Sequence, residues 1–358
     1  LVVSAAVFMK LTQANDQPEP VDVEIGVSSP DYGGQTEVFY NVESSQVIEI
    51  KPYRNGLAVL TQSSLIFVSS SGKTTGAFSH SFSNAHIETG GGVCVLYNRG
   101  SANYRIYRGS ELLSDVKTEC LVYLAAVSSN GKIAFAVRDK DCTSKLIILD
   151  KNGKELTQHV FNRESICAMD FQPGSRRLCV AATDAQNAVP YSVVAFFNTK
   201  DASEPEDRFS VEDKTVLRLA SFSRRTMLIC SDAVILYENS ELNSLYDYTS
   251  VSLRSVSASD GLIAVRTALY NSDDSSELKI FNKTGYELAS ENLTGLRINR
   301  VSASDKHVVV LTRDSAVLYS KKGVNYKTVN DLSEPTDCVV NGSWLYILTS
   351  EGLIKAGF

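Results

Sequence analysis

Two phrases decide the fold: Leu149-Asp-Lys-Asn-Gly-Lys-Glu-Leu156 and Phe281-Asn-Lys-Thr-Gly-Tyr-Glu-Leu288. Each runs from an apolar residue through an Asp or Asn to a glycine, then into a polar–apolar alternation. Their glycines, Gly153 and Gly285, stand 132 residues apart, which is three units of 44. A second phrase, Val256-Ser-Ala-Ser-Asp260, returns as Val301-Ser-Ala-Ser-Asp305, 45 residues further on. Self-similarity at a fixed spacing of about 20 to 50 residues marks a repeat architecture.

Working outward from these phrases, the chain has one texture from Gln35 onward. Short apolar runs rich in Val, Ile, Leu, Tyr and Phe alternate with Gly, Asn, Asp and Ser turns. Short runs bounded by turn residues, with no sustained 3.6-residue period, specify an all-β chain. One unit reads as four strands. A small-residue strand a (Ser257-Ala-Ser259) turns into a strongly apolar strand b (Leu262-Ile-Ala-Val265). A variable loop leads to strand c (Leu278-Lys-Ile-Phe281), and the turn at Gly285 to strand d (Tyr286-Glu-Leu-Ala289). Turns between strands a and b are expected at Asn55-Gly56, Gly91-Gly92, Asn130-Gly131, Pro173-Gly174, Arg224-Arg225, Asp260-Gly261, Asp305-Lys306 and Asn341-Gly342. Asn-Gly, Asp-Gly and Gly-Gly supply the positive φ that two-residue hairpins need.

The expected fold is therefore a single β-propeller over residues 35–358, with four-stranded blades of roughly 41 residues. The turns count eight blades, with seven as the alternative. The last unit offers only three strands before the chain stops, and Glu37-Val-Phe-Tyr-Asn-Val42 is expected to supply the fourth and close the ring. The unit between Val216 and Tyr248 carries the weakest turn signals.

The strand-c-to-d phrases Leu146–Leu156 and Leu278–Leu288 resemble those of quinoprotein-like and YVTN-like propellers. Together with its N-terminal segments, the chain resembles an uncharacterised bacterial domain-of-unknown-function family of membrane-anchored propellers. That resemblance implies the fold and no activity. Propeller enzymes that use quinones dock their blades with a Trp in nearly every repeat, whereas Trp344 is the only Trp of this chain. No cofactor is expected.

The N-terminus reads separately. Leu1–Met9 is apolar, but nine helical residues span only about 14 Å, and a bilayer core needs about 20 residues. The chain does not start with Met, so residues 1–10 are expected to be the remnant of a membrane anchor or signal segment. Residues 11–34 carry three prolines and no hydrophobic period, as a linker or stalk does. The expected location is outside the cytoplasm on a single-pass anchor. An intracellular propeller is the alternative.

Composition narrows the function. Of 358 residues, 43% are hydrophobic and 21% charged, and the net charge is −6. Nucleic acid is not an expected partner, because that surface needs clustered Lys and Arg. No nucleophile elbow, His-Glu-x-x-His or phosphate-binding loop occurs, so no catalytic residue is assigned. The four His residues, at 80, 86, 159 and 307, lack metal-ligand spacing, and no metal is expected. Asp273, Asp274 and Glu277 share a loop without the tight Gly turn of a Ca²⁺ site. Seven cysteines contain no Cys-x-x-Cys pair and are expected as free thiols, although Cys167 and Cys179 flank one turn and are candidates to approach each other.

One pattern points to a site. The residues just after strand b include Arg99, Arg138, Asp139, Asp184, Asp232, Arg266, Arg313 and Asp314. In a propeller such positions recur around one face, on loops carried by a rigid scaffold. Long b–c loops are expected at Arg138–Lys145, Thr183–Tyr191 and Arg266–Glu277. The residues fit a polar ligand or partner site. They fit a repeated turn in which Asp and Thr cap backbone groups still better. The expected function is a non-enzymatic, monomeric binding or scaffold propeller whose partner is an envelope protein or cell-wall polymer. A glycan-active hydrolase or lyase is the alternative.

Overall fold

The paired c–d phrases fold alike. In the computed structural model, Asp150 Oδ1 accepts the backbone N–H groups of Asn152 and Lys154 at 2.8 and 2.9 Å. Asn282 Oδ1 accepts those of Thr284 and Tyr286 at 2.9 and 3.1 Å. Gly153 and Gly285 each take φ near +80° and donate N–H back to the Asp150 and Asn282 carbonyls. The Asp or Asn side chain thus saturates a reversal whose positive φ only glycine adopts without steric cost.

The structure describes residues 38–259, 261–270, 275–293 and 295–358. The expected anchor remnant and linker lie outside the described residues, as do Asp260, Asp273 and Asp274.

The described residues form antiparallel sheets joined by hairpins. Four-stranded sheets run over 47–79, 165–212, 216–247, 252–292 and 298–329, each in simple up-and-down order. A further four-stranded sheet combines Asp337–Asn341, Trp344–Thr349 and Gly352–Gly357 with Val38–Tyr40. There Val38 pairs Ile354 and Tyr40 pairs Leu353, so the early strand supplies the member that the last repeat lacks. The remaining sheet has seven strands over 85–161. Its central strand, Glu111–Val127, runs unbroken for 17 residues and serves as the last strand of one hairpin set and the first of the next. No Gly, Pro or Asn interrupts residues 110–129, so nothing in the chain stops the extended run.

The chain divides into two compact units. In unit 1, Leu57–Val68 and Thr74–Val216, the two ends of the seven-stranded sheet pack on one another: Val93, Val95 and Tyr104 meet Ile133, Phe135 and Ile147. The opposite face of the same sheet (Ala134, Leu146, Ile148) buries against Ile166, Leu178 and Val180 of the next sheet. Unit 2 holds Leu217–Phe358 with short upstream segments. It repeats this face-to-face packing, with Ile229, Val234 and Leu236 against Ile263, Val265 and Phe281. Burying each such aliphatic side chain stabilises by about 1.5–3 kcal/mol, and the alternation along each strand provides one for each face.

Several expected turns shift. The first a–b reversal lies at Arg54-Asn55, with Arg54 at φ 51°, while Gly56 already belongs to strand Gly56–Thr61. The reversal at 222–224 uses three residues with no positive φ, and Arg225 opens the next strand. Thr183–Tyr191 is no loop. Strands Arg177–Gln186 and Val189–Asn198 stay paired out to Gln186 and Val189, turning on Asn187 and Ala188, both at positive φ. The unit over 216–247, weakly signalled in sequence, is an ordinary four-stranded sheet. The same ladder separates Cys167 from Cys179: Cys179 pairs Asp170, whereas Cys167 sits at a bulge beside Ala181. The thiol of Cys167 donates instead to the carbonyls of Ala181 and Val216, and all seven cysteines are free.

Candidate functional site

The expected site residues stand at the ends of b strands, as their sequence positions imply. Threonines at these ends hold the turns. Thr61 Oγ1 accepts Ser64 N–H at 2.9 Å, Thr312 Oγ1 accepts Ser315 N–H at 3.1 Å, and Thr349 Oγ1 donates to the Gly352 carbonyl at 2.9 Å. Capping therefore accounts for the recurring Thr, as the structural reading of these turns anticipated.

The two expected acids of unit 1, Asp139 and Asp184, are committed. Asp139 accepts from Lys145 Nζ at 3.0 Å and from the Lys140 N–H at 2.6 Å. The Lys145 hydrogen bond holds the Asp139 carboxyl below its usual range, against the opposing effect of burial. Burial pulls Lys145 down, but Asp139 outweighs it and the ammonium lies above its usual range. Cys120 and Cys142 lie beside this pair, and burial pushes Cys120 up to about 11 and Cys142 upward as well. Both are protonated thiols at neutral pH. Asp184 accepts from the Tyr191 hydroxyl at 3.2 Å and the Ala185 N–H at 2.8 Å, with Arg163 at 3.5 Å.

The two arginines of unit 1 differ. Arg99 and Arg138 are exposed, and both line a cavity of about 390 Å³ formed by the ends of strands Glu111–Val127, Ile133–Arg138 and Ser165–Phe171. Among the described residues neither guanidinium has an ion pair or a hydrogen bond. The cavity floor is apolar (Leu124, Ala136, Ile166), with Tyr123 and Cys167 beside it. Two of its hydroxyl hydrogens are taken: Thr143 donates to the Asn162 carbonyl and Ser144 to that of Glu164, both at 2.8 Å, while the hydroxyls of Tyr123 and Ser165 also line it. Burial pushes the Cys167 thiol up to about 11. The alignment of b-strand ends found the arginines. The apolar floor escaped it, because Leu124 and Ile166 are indistinguishable in sequence from other core positions.

In unit 2 the expected residues stand in different settings. Arg266 is buried, 8% exposed, and donates from Nε and a terminal nitrogen to Ser276 Oγ at 3.1 and 3.0 Å. The Asp232 carbonyl accepts the Tyr248 N–H. Arg313 and Asp314 are exposed at a turn in which the Asp314 carbonyl accepts Leu332 N–H. Glu277, weighed as an acidic-loop ligand, is engaged by Tyr246 at 2.9 Å and Ser290 at 2.9 Å. These bonds and Lys279 hold its carboxyl below its usual range against burial. Among the described residues no group of three or more His, Cys, Asp or Glu could hold a metal, and no helix is long and apolar enough to cross a membrane.

A family described as a family of unknown function, DUF5711, matches residues 34–356. The chain belongs to that family. DUF5711 thus covers every described sheet of this chain. Three solved structures share its fold. BamB from Moraxella catarrhalis is 12% identical, with a TM-score of 0.57 over 88% of this chain and 94% of that one. The β-propeller domain of Cps50 (Swd1) from Myceliophteria thermophila is 12% identical, with a TM-score of 0.53 over 78% and 96%. The β-propeller domain of the Trilobed protease from Pyrococcus furiosus, described as having an open velcro topology, is 11% identical, with a TM-score of 0.51 over 75% and 93%. Among curated proteins, none matches significantly. This DUF5711 chain is an all-β protein of antiparallel sheets of four or more strands resembling a β-propeller.

Proposed function

We propose that the chain is a non-enzymatic binding propeller that works outside the cytoplasm and engages a partner bearing acidic groups. The observation that carries this reading is the state of charge around the cavity of unit 1. No carboxylate lines it, Lys145 holds Asp139 next to Arg138, and Arg99 and Arg138 are uncommitted. Acid–base chemistry needs a carboxyl poised to exchange a proton. Recognition of an anion needs positive charge without an internal partner.

The ring itself is part of the proposal. Counting the 17-residue strand twice gives eight four-stranded blades, with Val38–Tyr40 as the closing strand. The apolar run Leu1–Met9 supports an envelope location.

Cross-linking the purified chain to components of an envelope fraction tests the reading. The expected result is retention of an acidic component that falls away in the double variant Arg99→Gln, Arg138→Gln. Turnover of a glycan panel by the purified chain, with no component retained, contradicts it.

A further inference from the structure

We propose that the cavity rimmed by Arg99 and Arg138 binds a compact organic acid, its carboxylate between the two guanidiniums and its apolar body on Leu124, Ala136 and Ile166. This rests on the binding reading above and names the class of ligand.

The size of the cavity, about 390 Å³, lies at the lower end of sites for small molecules. That volume suits a short aliphatic or single-ring body. Its polarity is divided. The floor is aliphatic, and the charged groups that line the cavity are guanidiniums. A neutral sugar would require many paired donors and acceptors, but Thr143 and Ser144 have already spent their hydrogens on backbone carbonyls, which leaves the Tyr123 and Ser165 hydroxyls as the neutral side-chain donors. A cationic ligand would meet two positive charges, and no carboxylate lines the cavity to offset them. What remains is a ligand with an anionic head and an apolar tail. The planar guanidinium fork matches a carboxylate in two-point geometry, and apolar burial supplies the rest.

The test is calorimetric titration of the full chain with octanoate and benzoate, their neutral amides octanamide and benzamide, inorganic phosphate, and a hexaglutamate peptide. The acids are expected to saturate one site, with the amides bound at least about tenfold more weakly. The Arg99→Gln, Arg138→Gln variant should lose at least about tenfold for the acids, and the Arg99→Lys, Arg138→Lys variant should retain part of the binding. Both positions are exposed, so circular dichroism should show an unchanged fold. Equal binding of acid and amide, unchanged binding by the Gln, Gln variant, or no acid bound at all overturns the inference. Arginine-dependent binding of hexaglutamate or phosphate without the organic acids overturns it too, while leaving the anion-binding reading standing.

Discussion

Replacing Lys355 by Met should loosen the sheet that joins the two ends of the described chain. Lys355 Nζ lies 4.0 Å from the Trp344 ring, 5.0 Å from Phe39 and 5.8 Å from Tyr346, and donates to the Ser70 carbonyl at 2.5 Å. Phe39 belongs to the early strand Val38–Tyr40, so the ammonium ties that strand to the last two. Burial lowers the affinity of Lys355 for its proton, and the rings and the carbonyl offset that cost. A half-buried cation over aromatic rings contributes about 1 kcal/mol, and a charged hydrogen bond about 1.5 kcal/mol. Met keeps the stem and removes the desolvation cost of the charge, which returns about 1 kcal/mol. The expected net loss is about 1–2 kcal/mol, or a fall of about 0.5 M in the urea midpoint at an m-value near 3 kcal/mol/M. Trp344 is the only Trp, so its fluorescence reports this sheet directly. A double-mutant cycle with Phe39→Leu should show a coupling of at least about 0.5 kcal/mol. An unchanged midpoint with additive single effects would refute the reasoning, because the cage would then be screened by solvent.

Three further outcomes follow from the same structure. Gly91→Ala should cost at least about 3 kcal/mol, because its φ is +55° and the new Cβ would stand 2.3 Å from Gly131 N, whereas Gly92→Ala, at φ +74° with nothing within 4 Å, should cost only about 1 kcal/mol; thermal denaturation compares the two. His80 donates Nε2–H to the Thr61 carbonyl at 3.1 Å and accepts the Phe82 N–H on Nδ1 at 3.2 Å, so burial and then Arg105 keep it neutral and its proton affinity low, with the Thr61 bond opposing. Because the unfolded chain binds that proton more readily, the contribution of His80 is full above pH 6.5 and is lost as pH falls below 6.5. His80→Gln should flatten the stability profile over that acid window in denaturant titrations, while His307, lowered by burial and Lys306, keeps a residual slope of the same sign. Arg266→Ala should destabilise by about 2 kcal/mol yet leave anion binding in unit 1 unchanged, since its guanidinium serves Ser276; unfolding and calorimetry on one preparation separate the effects.

Local chemistry explains what could be read from the chain. The turns at Asp150 and Asn282 repeat because the Asp or Asn side chain and the glycine three residues on satisfy the same two backbone demands. The pairing of Val38–Tyr40 with the last repeat followed from strand arithmetic. Other features were hidden because neighbours decide them. Arg54 takes the left-handed turn although Asn55-Gly56 carries the usual signal, and Gly56 already belongs to strand Gly56–Thr61. Thr183–Tyr191 reads as a loop because Asp184 and Asn187 are poor strand formers, yet cross-strand pairing out to Gln186 and Val189 holds Asp184 extended and leaves only Asn187 and Ala188 to turn. At the site, residue type showed where charge lies but not which charge is spent. Asp139 and Arg138 are adjacent in sequence, and only the Lys145 contact makes one committed and the other available.

The account turns on whether uncommitted positive charge at the cavity of unit 1 captures an acid. The most direct measurement is a crystal of the chain soaked with 4-bromobenzoate, with the bromine located by anomalous scattering. The account predicts a bromine peak over Leu124 and Ile166, with the carboxylate between the Arg99 and Arg138 guanidiniums. An empty cavity beside a fully occupied bromobenzoate elsewhere would contradict it.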